Sequence, residues 1–571
     1  MNSAERTVMH RVLNIPELLD MVFSFLEPES NAVNARICRR WSEIALDALW
    51  RDVRDVQLLF GLLAPLRVCG GKDEFLEFER MPDSTDWKRF EKYGKRVRRL
   101  EYDVQRCHTP LKQNVFDDVA RTRTRLDILP NMHTLLWKAP LSLAVMFMHK
   151  RMKNFSVYLP ELKEISPHPF FKDVADRMPN LTSLDLRSTV PMHKFEAEVV
   201  KLFEHLPKIQ KVTFPRYYFT TRIAEALSRL ENLGIIEFQY LDDQGSGNVN
   251  DVVPFIPLLV EGAFPVLWDH SMAASFEDAA RFLNIPFAPT NLTMLYIDSY
   301  VIETPAVVRN LLNTISENCQ LLTFLALVSL RDASSSSVLS LENEYDPDLA
   351  ITIDTLKPLF KLPNLTTLEL VHQYPLALKS EDIRLFAASW PALRSLLLNT
   401  EPVLLSKSNL TLDDLLPFAQ HCPQLRHLGL FIDARSTTNI SPSSSFSSSP
   451  QTVQFKALER LSMGVSLIED DNAVTLFLSQ ILPLNCQVDS GITWDESFPV
   501  HEEVSSVVQE RCTLWSKVAE LLPVLTKLRT QERARTKAME MELEDLRMRT
   551  KVLKDSAALG VRLDISSCVM I

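Results

Sequence analysis

Glycine is scarce in this 571-residue chain, at 12 residues, while proline reaches 33. That balance disfavours a glycine-turned all-β barrel and a phosphate-cradling loop, and suits helices and short strands punctuated by proline. Cysteine is sparse too: the eight residues, at positions 38, 69, 107, 319, 422, 486, 512 and 568, form no CxxC pair. Their scatter points to a reducing compartment, and no Cys/His spacing resembles a zinc site. The nearest approach to one, His421-Cys422 with His427, reads as an ordinary repeat edge, so neither metal nor cofactor is expected. Positive charge is short, with 62 Lys and Arg against 73 Asp and Glu for a net charge of −11, so no nucleic-acid partner is expected. Long apolar runs are missing: Leu141 to Met148, broken by one serine, is far too short to span a bilayer. The opening MNSAERTVMHRVLN has no apolar signal region, so a cytoplasmic or nuclear location is expected. The patterns GxSxG, GxxxxGK[ST], GxGxxG and HExxH are all absent. The chain is therefore expected not to be an enzyme.

What is present begins at residues 12–50, VLNIPELLDMVFSFLEPESNAVNARICRRWSEIALDALW. Pro16 suits the first position of a helix, where a missing N–H costs nothing. After it Leu18, Leu19, Val22, Phe23 and Leu26 fall on one face of about three helical turns. Pro28 ends that helix, Ser30 is suited to cap a second, and Val33, Ile37, Trp41 and Ile44 recur at helical spacing. Domains of ~40 residues rarely stand alone without a metal, disulfide or partner. An apolar helical face on so small a unit is expected to be a docking surface.

Leu13, Pro16, Glu17, Leu18, Leu19, Val22, Phe23, Leu26, Pro28, Ile37, Cys38, Arg39, Trp41 and Trp50 resemble the F-box family residue by residue. The resemblance implies that residues 8–52 pack against the Skp-type adaptor of an SCF ubiquitin ligase, and through it a cullin. It implies adaptor contacts at Ile15, Pro16, Glu17, Leu18, Leu19, Val22, Phe23, Leu26, Ile37, Cys38 and Trp41. The family usually places Asp-Leu where this chain has Ser30-Asn31. On this reading Ser30 keeps the capping role and Asn31 removes an apolar contact.

From about residue 93 a pattern with apolar residues at positions 1, 4 and 6 recurs. It is found at Val97-Leu100-Tyr102, Met132-Leu135-Trp137, Met152-Phe155-Val157, Leu181-Leu184-Leu186, Ile209-Val212-Phe214 and Leu233-Ile236-Phe238. It returns at Leu292-Leu295-Ile297, Leu322-Leu325-Leu327, Leu365-Leu368-Leu370, Leu393-Leu396-Leu398, Leu425-Leu428-Leu430 and Leu458-Leu461-Met463. Proline often precedes the strand, as in MPNLTSLDL, LPNLTTLEL and CPQLRHLGL, ending the helix before it. The wide gap between Leu233 and Leu292 must hold a degenerate repeat or an insertion. Strand-plus-helix units of this length share an apolar seam that no single unit can bury, and this resembles the irregular leucine-rich repeats of fungal-type F-box proteins. The asparagine usual after the third apolar position is missing from most of them.

The expected architecture is a small all-α F-box module (8–52), a helical linker (53–92), an α/β leucine-rich repeat solenoid (93–500) and C-terminal helices with a tail (501–571). In the solenoid, parallel strands are expected on the concave face with helices outside. Side chains alternate along a strand, so the positions beside the seam face out. Of these, Tyr296, Asp298, Phe324, Val328, Glu369 and Phe431 are expected to meet a protein substrate. Residues 241–250 look like a flexible insertion, and Ser436 to Pro450 a disordered loop. After residue 500 a stripe of Val508, Trp515, Val518, Leu522 and their neighbours is expected to cap the solenoid, with a kink or break at Pro523. The last four residues, Cys568-Val569-Met570-Ile571, match the C-a-a-X pattern. Membrane association is expected only if Cys568 is prenylated. The function expected is a substrate-recognition subunit; the competing reading is a leucine-rich repeat scaffold that does not direct degradation.

Overall fold

The computed structural model describes residues 15–70, 74–160, 168–239, 243–330, 350–402, 405, 408–435, 453–492 and 502–566, with the side chains of 502–504 and 556–566 outside that description. The serine-rich loop and Cys568 lie outside the described residues. The chain divides into two compact units, Met1–Asp298 with Glu317–Cys319, and Ser299–Ser316 with Gln320–Ile571.

The first unit opens with three helices, α1 (Pro16–Ser24), α2 (Pro28–Asn34) and α3 (Arg39–Arg51). Its strands are β1 (Asp52–Val53), β2 (Leu66–Cys69), β3 (Phe75–Phe78), β4 (Arg99–Asp103), β5 (Thr134–Lys138), β6 (Asn154–Leu159), β7 (Ser183–Ser188), β8 (Lys211–Phe214), β9 (Ile235–Phe238), β10 (Asp269–Ala273) and β11 (Met294–Ser299). Apart from the antiparallel hairpin β2–β3, they pair in chain order and in parallel from β1 and β4 through β11. The stretch expected to be a helical linker is therefore mixed, holding that hairpin between helices Val56–Phe60 and Ser84–Gly94. In the second unit β12 (Phe324–Ser329), β13 (Thr367–His372), β14 (Ser395–Leu398), β15 (His427–Leu430), β16 (Arg460–Gly464) and β17 (Gln487–Ser490) pair the same way.

The seam is what stacks. Phe155, Leu184 and Val212 are register partners on adjacent strands, as are Leu368, Leu396, Leu428 and Leu461, and all are buried. Connecting helices close over them: Phe170 meets seam residue Phe155 with ring centroids 6.3 Å apart, and Phe203 meets Phe214 at 6.2 Å. Each side chain so covered contributes roughly 1.5–3 kcal/mol, which no repeat could gain alone. The missing asparagines are replaced by serines at the strand ends. Ser188 Oγ donates to Leu159 O of the preceding repeat at 3.0 Å and accepts from Val190 N–H. Ser329 joins Val301 O to Glu303 N–H, and Ser466 joins Leu430 O to Ile432 N–H, in the same way.

The gap before Leu292 holds a repeat whose seam reads Leu267-His270-Met272, forming β10. His270 takes the place of a leucine against Phe219 and Phe282, on both of which Phe255 packs in turn. It is wholly buried, and among the described residues neither ring nitrogen meets a hydrogen-bonding group. Burial pushes its pKa down to about 3.

The described part of the expected flexible insertion is pinned. Gln244 is buried, its Nε2 donating to Leu186 O, while its backbone carbonyl accepts from Ser188 N–H. Gly245 has φ +81°, and a Cβ there would lie 2.1 Å from Ser188 O, so only glycine fits.

In the second unit one helix spans Glu502–Ser566 and runs on through Pro523. The expected break does not occur: Pro523 lies on the exposed side, where water can serve the carbonyl it leaves unpaired. Val508, Trp515, Val518 and Leu522 are buried, and Trp515 Nε1 donates to Ser466 O at 2.9 Å. This helix is the cap.

Candidate functional site

Within α1–α3 the apolar residues divide into two sets. Leu19 and Phe23, four residues apart on α1, turn inward onto Ala45 of α3, with Trp41, Ile44 and Ala48 around them. Phe23 and Trp41 meet edge to face, centroids 5.5 Å apart. These residues are the module's own core. Leu19, at 0% exposure, and Phe23, at 2%, are thus not surfaces for a partner, contrary to the expectation that they touch an adaptor. Trp41 is half-buried against them and Leu18 is half-buried beside them.

The second set faces out. Ile15, Pro16, Glu17, Val22, Leu26, Ile37 and Cys38 are exposed, as the docking reading requires of contact residues. Val33, placed on the helical stripe but not among the expected contacts, joins them, as do two that sequence reasoning missed, Met21 and Phe25, the last 84% exposed. Phe25 is the C-cap residue of α1. It falls off the helical stripe because the chain turns there, so periodicity had no way to flag it; its size next to Leu26 was the only signal.

The corner that presents Phe25 is fixed by Asn31. Its side chain is buried, and Nδ2 donates to Phe23 O at 2.9 Å and to Leu26 O at 3.4 Å. Phe23 O also takes the Leu26 N–H at 3.2 Å, so Asn31 adds a second donor there and one to Leu26 O, neither of which a leucine in this position could supply. Asn31 therefore substitutes a tie between α1 and α2 for the apolar contact it removes. Ser30 is not a cap: α2 starts at Pro28 with Glu27 before it, and neither helix has a side-chain cap.

Polar ties hold the module in place. Arg51 of α3 reaches Asp20 of α1 at 2.9 Å. Arg96, nearly buried just before β4, donates to Glu43 and Asp47 of α3. Its hydrogen bond and charge hold the Glu43 carboxyl below the usual range. Arg98 N–H also donates to Arg51 O at 2.8 Å as β1 pairs with β4. The exposed face is thus carried on a base continuous with the first sheet.

The strand positions expected to hold a substrate are less uniform. Tyr296, Phe324, Val328 and Glu369 are half-buried on their strands. Burial, with Glu401 adding, raises the pKa of Glu369, which lines a cavity of about 350 Å³ with Asn399, His427, Ser462 and Asp489. Two positions are corrected. Asp298 is 2% exposed and bound to Arg216 at 2.5 Å, and Phe431 packs against Val465, Leu467 and Val508 under the C-terminal helix. Alternation along a strand could not reveal that a distant helix covers it. The His421, Cys422 and His427 trio has separate structural tasks: Cys422 Sγ points at Ala387 O and Trp390 O, His427 contacts Ser462, and His421 is exposed. Among the described residues no group of three or more potential ligands could hold a metal, and no helix is long and apolar enough to cross a membrane.

Comparison with curated proteins finds no match. Among solved structures, the Rad7 and Elc1 complex in yeast has a chain similar to this one at 14% identity. The similarity covers 63% of this chain and 80% of that one, with a TM-score of 0.32. Residues 16–55, which carry the exposed apolar face, match the F-box-like family.

Proposed function

We propose that this chain is the substrate-recognition subunit of an SCF-type ubiquitin ligase. The α1–α3 module binds a Skp-type adaptor, which recruits a cullin, and the repeat sheets hold the protein to be ubiquitinated. The observation that carries this reading is the disproportion in the module. Its buried hydrophobic centre is Leu19, Phe23 and Ala45, while Met21, Val22, Phe25, Leu26, Val33 and Ile37 stand in solvent. A face of that kind stays soluble when another subunit covers it. In this scheme the chain does no bond-making of its own; it raises the local concentration of a target beside activated ubiquitin. Tyr296, Phe324, Val328 and Glu369 are the substrate-facing positions that remain after Asp298 and Phe431 are set aside. A prenylated Cys568 would add a weak membrane tether, since a single chain anchors only marginally.

The test is co-purification of the full chain with adaptor and cullin. Both should be recovered. Adaptor without cullin would transfer support to the non-degradative scaffold, and neither would end the proposal.

A further inference from the structure

The C-terminal helix outruns what it caps. Arg533, whose Nη2 donates to Gln480 O at 3.2 Å, marks the last tie to the unit it covers. From Ala534 to Asp555 every side chain is exposed. Most helical stability in proteins comes from packing an apolar face, and the side chains of this stretch stand in water. Yet its surface is patterned. Met539, Leu543 and Leu546 follow at intervals of four and three, all about half exposed, and Thr536 and Thr550 extend the same alternation. That is the spacing of a coiled-coil seam.

The flanking charges say what covers the seam. An acidic block, Glu540, Glu542, Glu544 and Asp545, is followed at once by a basic block, Arg547, Arg549, Lys551 and Lys554. Two such helices laid antiparallel, Leu543 of each opposite Leu546 of the other, place each acidic block on the other's basic block. Glu542 then faces Arg549, and Glu540 faces Arg547, each pair occurring twice. A parallel in-register pair would set Glu542 against Arg547 of the other copy but also Arg549 against Lys554, like charge on like. Arg549 already reaches Asp545 along its own helix at 2.9 Å, an exposed link worth little that leaves its charge to be shared. The even mixture of signs also sets the segment apart from the basic amphipathic helices that lie on anionic membranes.

We propose that residues 536–553 form an antiparallel coiled coil with the same segment of a second copy of this chain, making a symmetric dimer. This stands apart from the adaptor reading, which rests on the other unit. The assembly would be a bivalent receptor, with two substrate faces and two docking modules.

The full chain should sediment as a monomer at ~1 μM and approach twice that mass by ~100 μM, the range open to a coil of two to three heptads. Leu543→Glu should keep it monomeric throughout. Glu542→Arg should dissociate it as well, and Glu542→Arg with Arg549→Glu should restore the dimer, because the pair is merely reversed. That rescue separates a lost interface from a frayed helix. A monomer at every concentration would overturn the proposal. So would rescue by Glu542→Arg with Arg547→Glu in place of the Arg549 pairing, which is the signature of parallel strands.

Discussion

Phe25 and Leu19 sit six residues apart and should fail in opposite ways. Phe25 is 84% exposed, so Phe25→Ala removes little from the fold. If an adaptor covers the ring, the lost area is roughly 84% of the ~200 Å² an aromatic side chain offers, about 170 Å². At about 25 cal/mol per Å² that is ~4 kcal/mol as an upper bound. Half of it realised gives ~2 kcal/mol, or about thirtyfold in Kd. Leu19 is fully buried against Phe23 and Ala45, so Leu19→Ala should cost the module about 2–5 kcal/mol and weaken binding by unfolding it. Calorimetric titration of purified Skp-type adaptor into each variant, paired with hydrogen exchange over α1–α3, separates the two. Phe25→Ala should bind poorly with unchanged exchange, and Leu19→Ala should exchange fast. A Phe25→Ala protein that binds within twofold of wild type would refute the assignment of this face.

Three further outcomes follow from the geometry. His270 has its folded pKa lowered to about 3, below its unfolded value of about 6.5, so its contribution is intact above the unfolded value and lost as pH falls from there toward 3. Urea melts at pH 7 and 5 should differ by ~2 kcal/mol from this group, and His270→Leu should abolish that difference while stabilising the chain at pH 7. Arg96→Met should unpair Glu43 and Asp47, loosening α3 by about 1 kcal/mol because both carboxylates are largely exposed; faster exchange in α3 with unchanged intrinsic adaptor affinity is the expected readout. Gly245→Ala should cost about 2–3 kcal/mol locally, from the Cβ clash with Ser188 O at positive φ; rapid proteolytic cleavage near residues 240–250 would show it, and wild-type resistance would contradict it.

The seam was legible because it is periodic. Twelve apolar triplets lie on strands, since each must place two or three residues on one face whatever the remaining sequence does. The repeat at Leu267-His270-Met272 was illegible because histidine filled a leucine's place, and an imidazole carries no apolar signal until the rings of Phe219 and Phe282 pack on it. The serine ladder escaped notice for a related reason: a hydroxyl at a strand end means nothing until the neighbouring repeat supplies its carbonyl.

For the docking face, sequence alone fixed which side chains are apolar and that they recur at helical spacing. It could not divide them, because a stripe of Leu18, Leu19, Val22, Phe23 and Leu26 is wider than one small module can bury. Only the crossing of α1 over α3 decided that Leu19 and Phe23 go inward while Val22, Leu26 and the off-stripe Phe25 stay out. In the same way the composition of residues 540–554 was plain from the start. That the helix bearing them leaves its support at Arg533, exposing the seam between the charge blocks, was settled by tertiary packing, which depends on where Trp515 and Leu522 find a surface to cover.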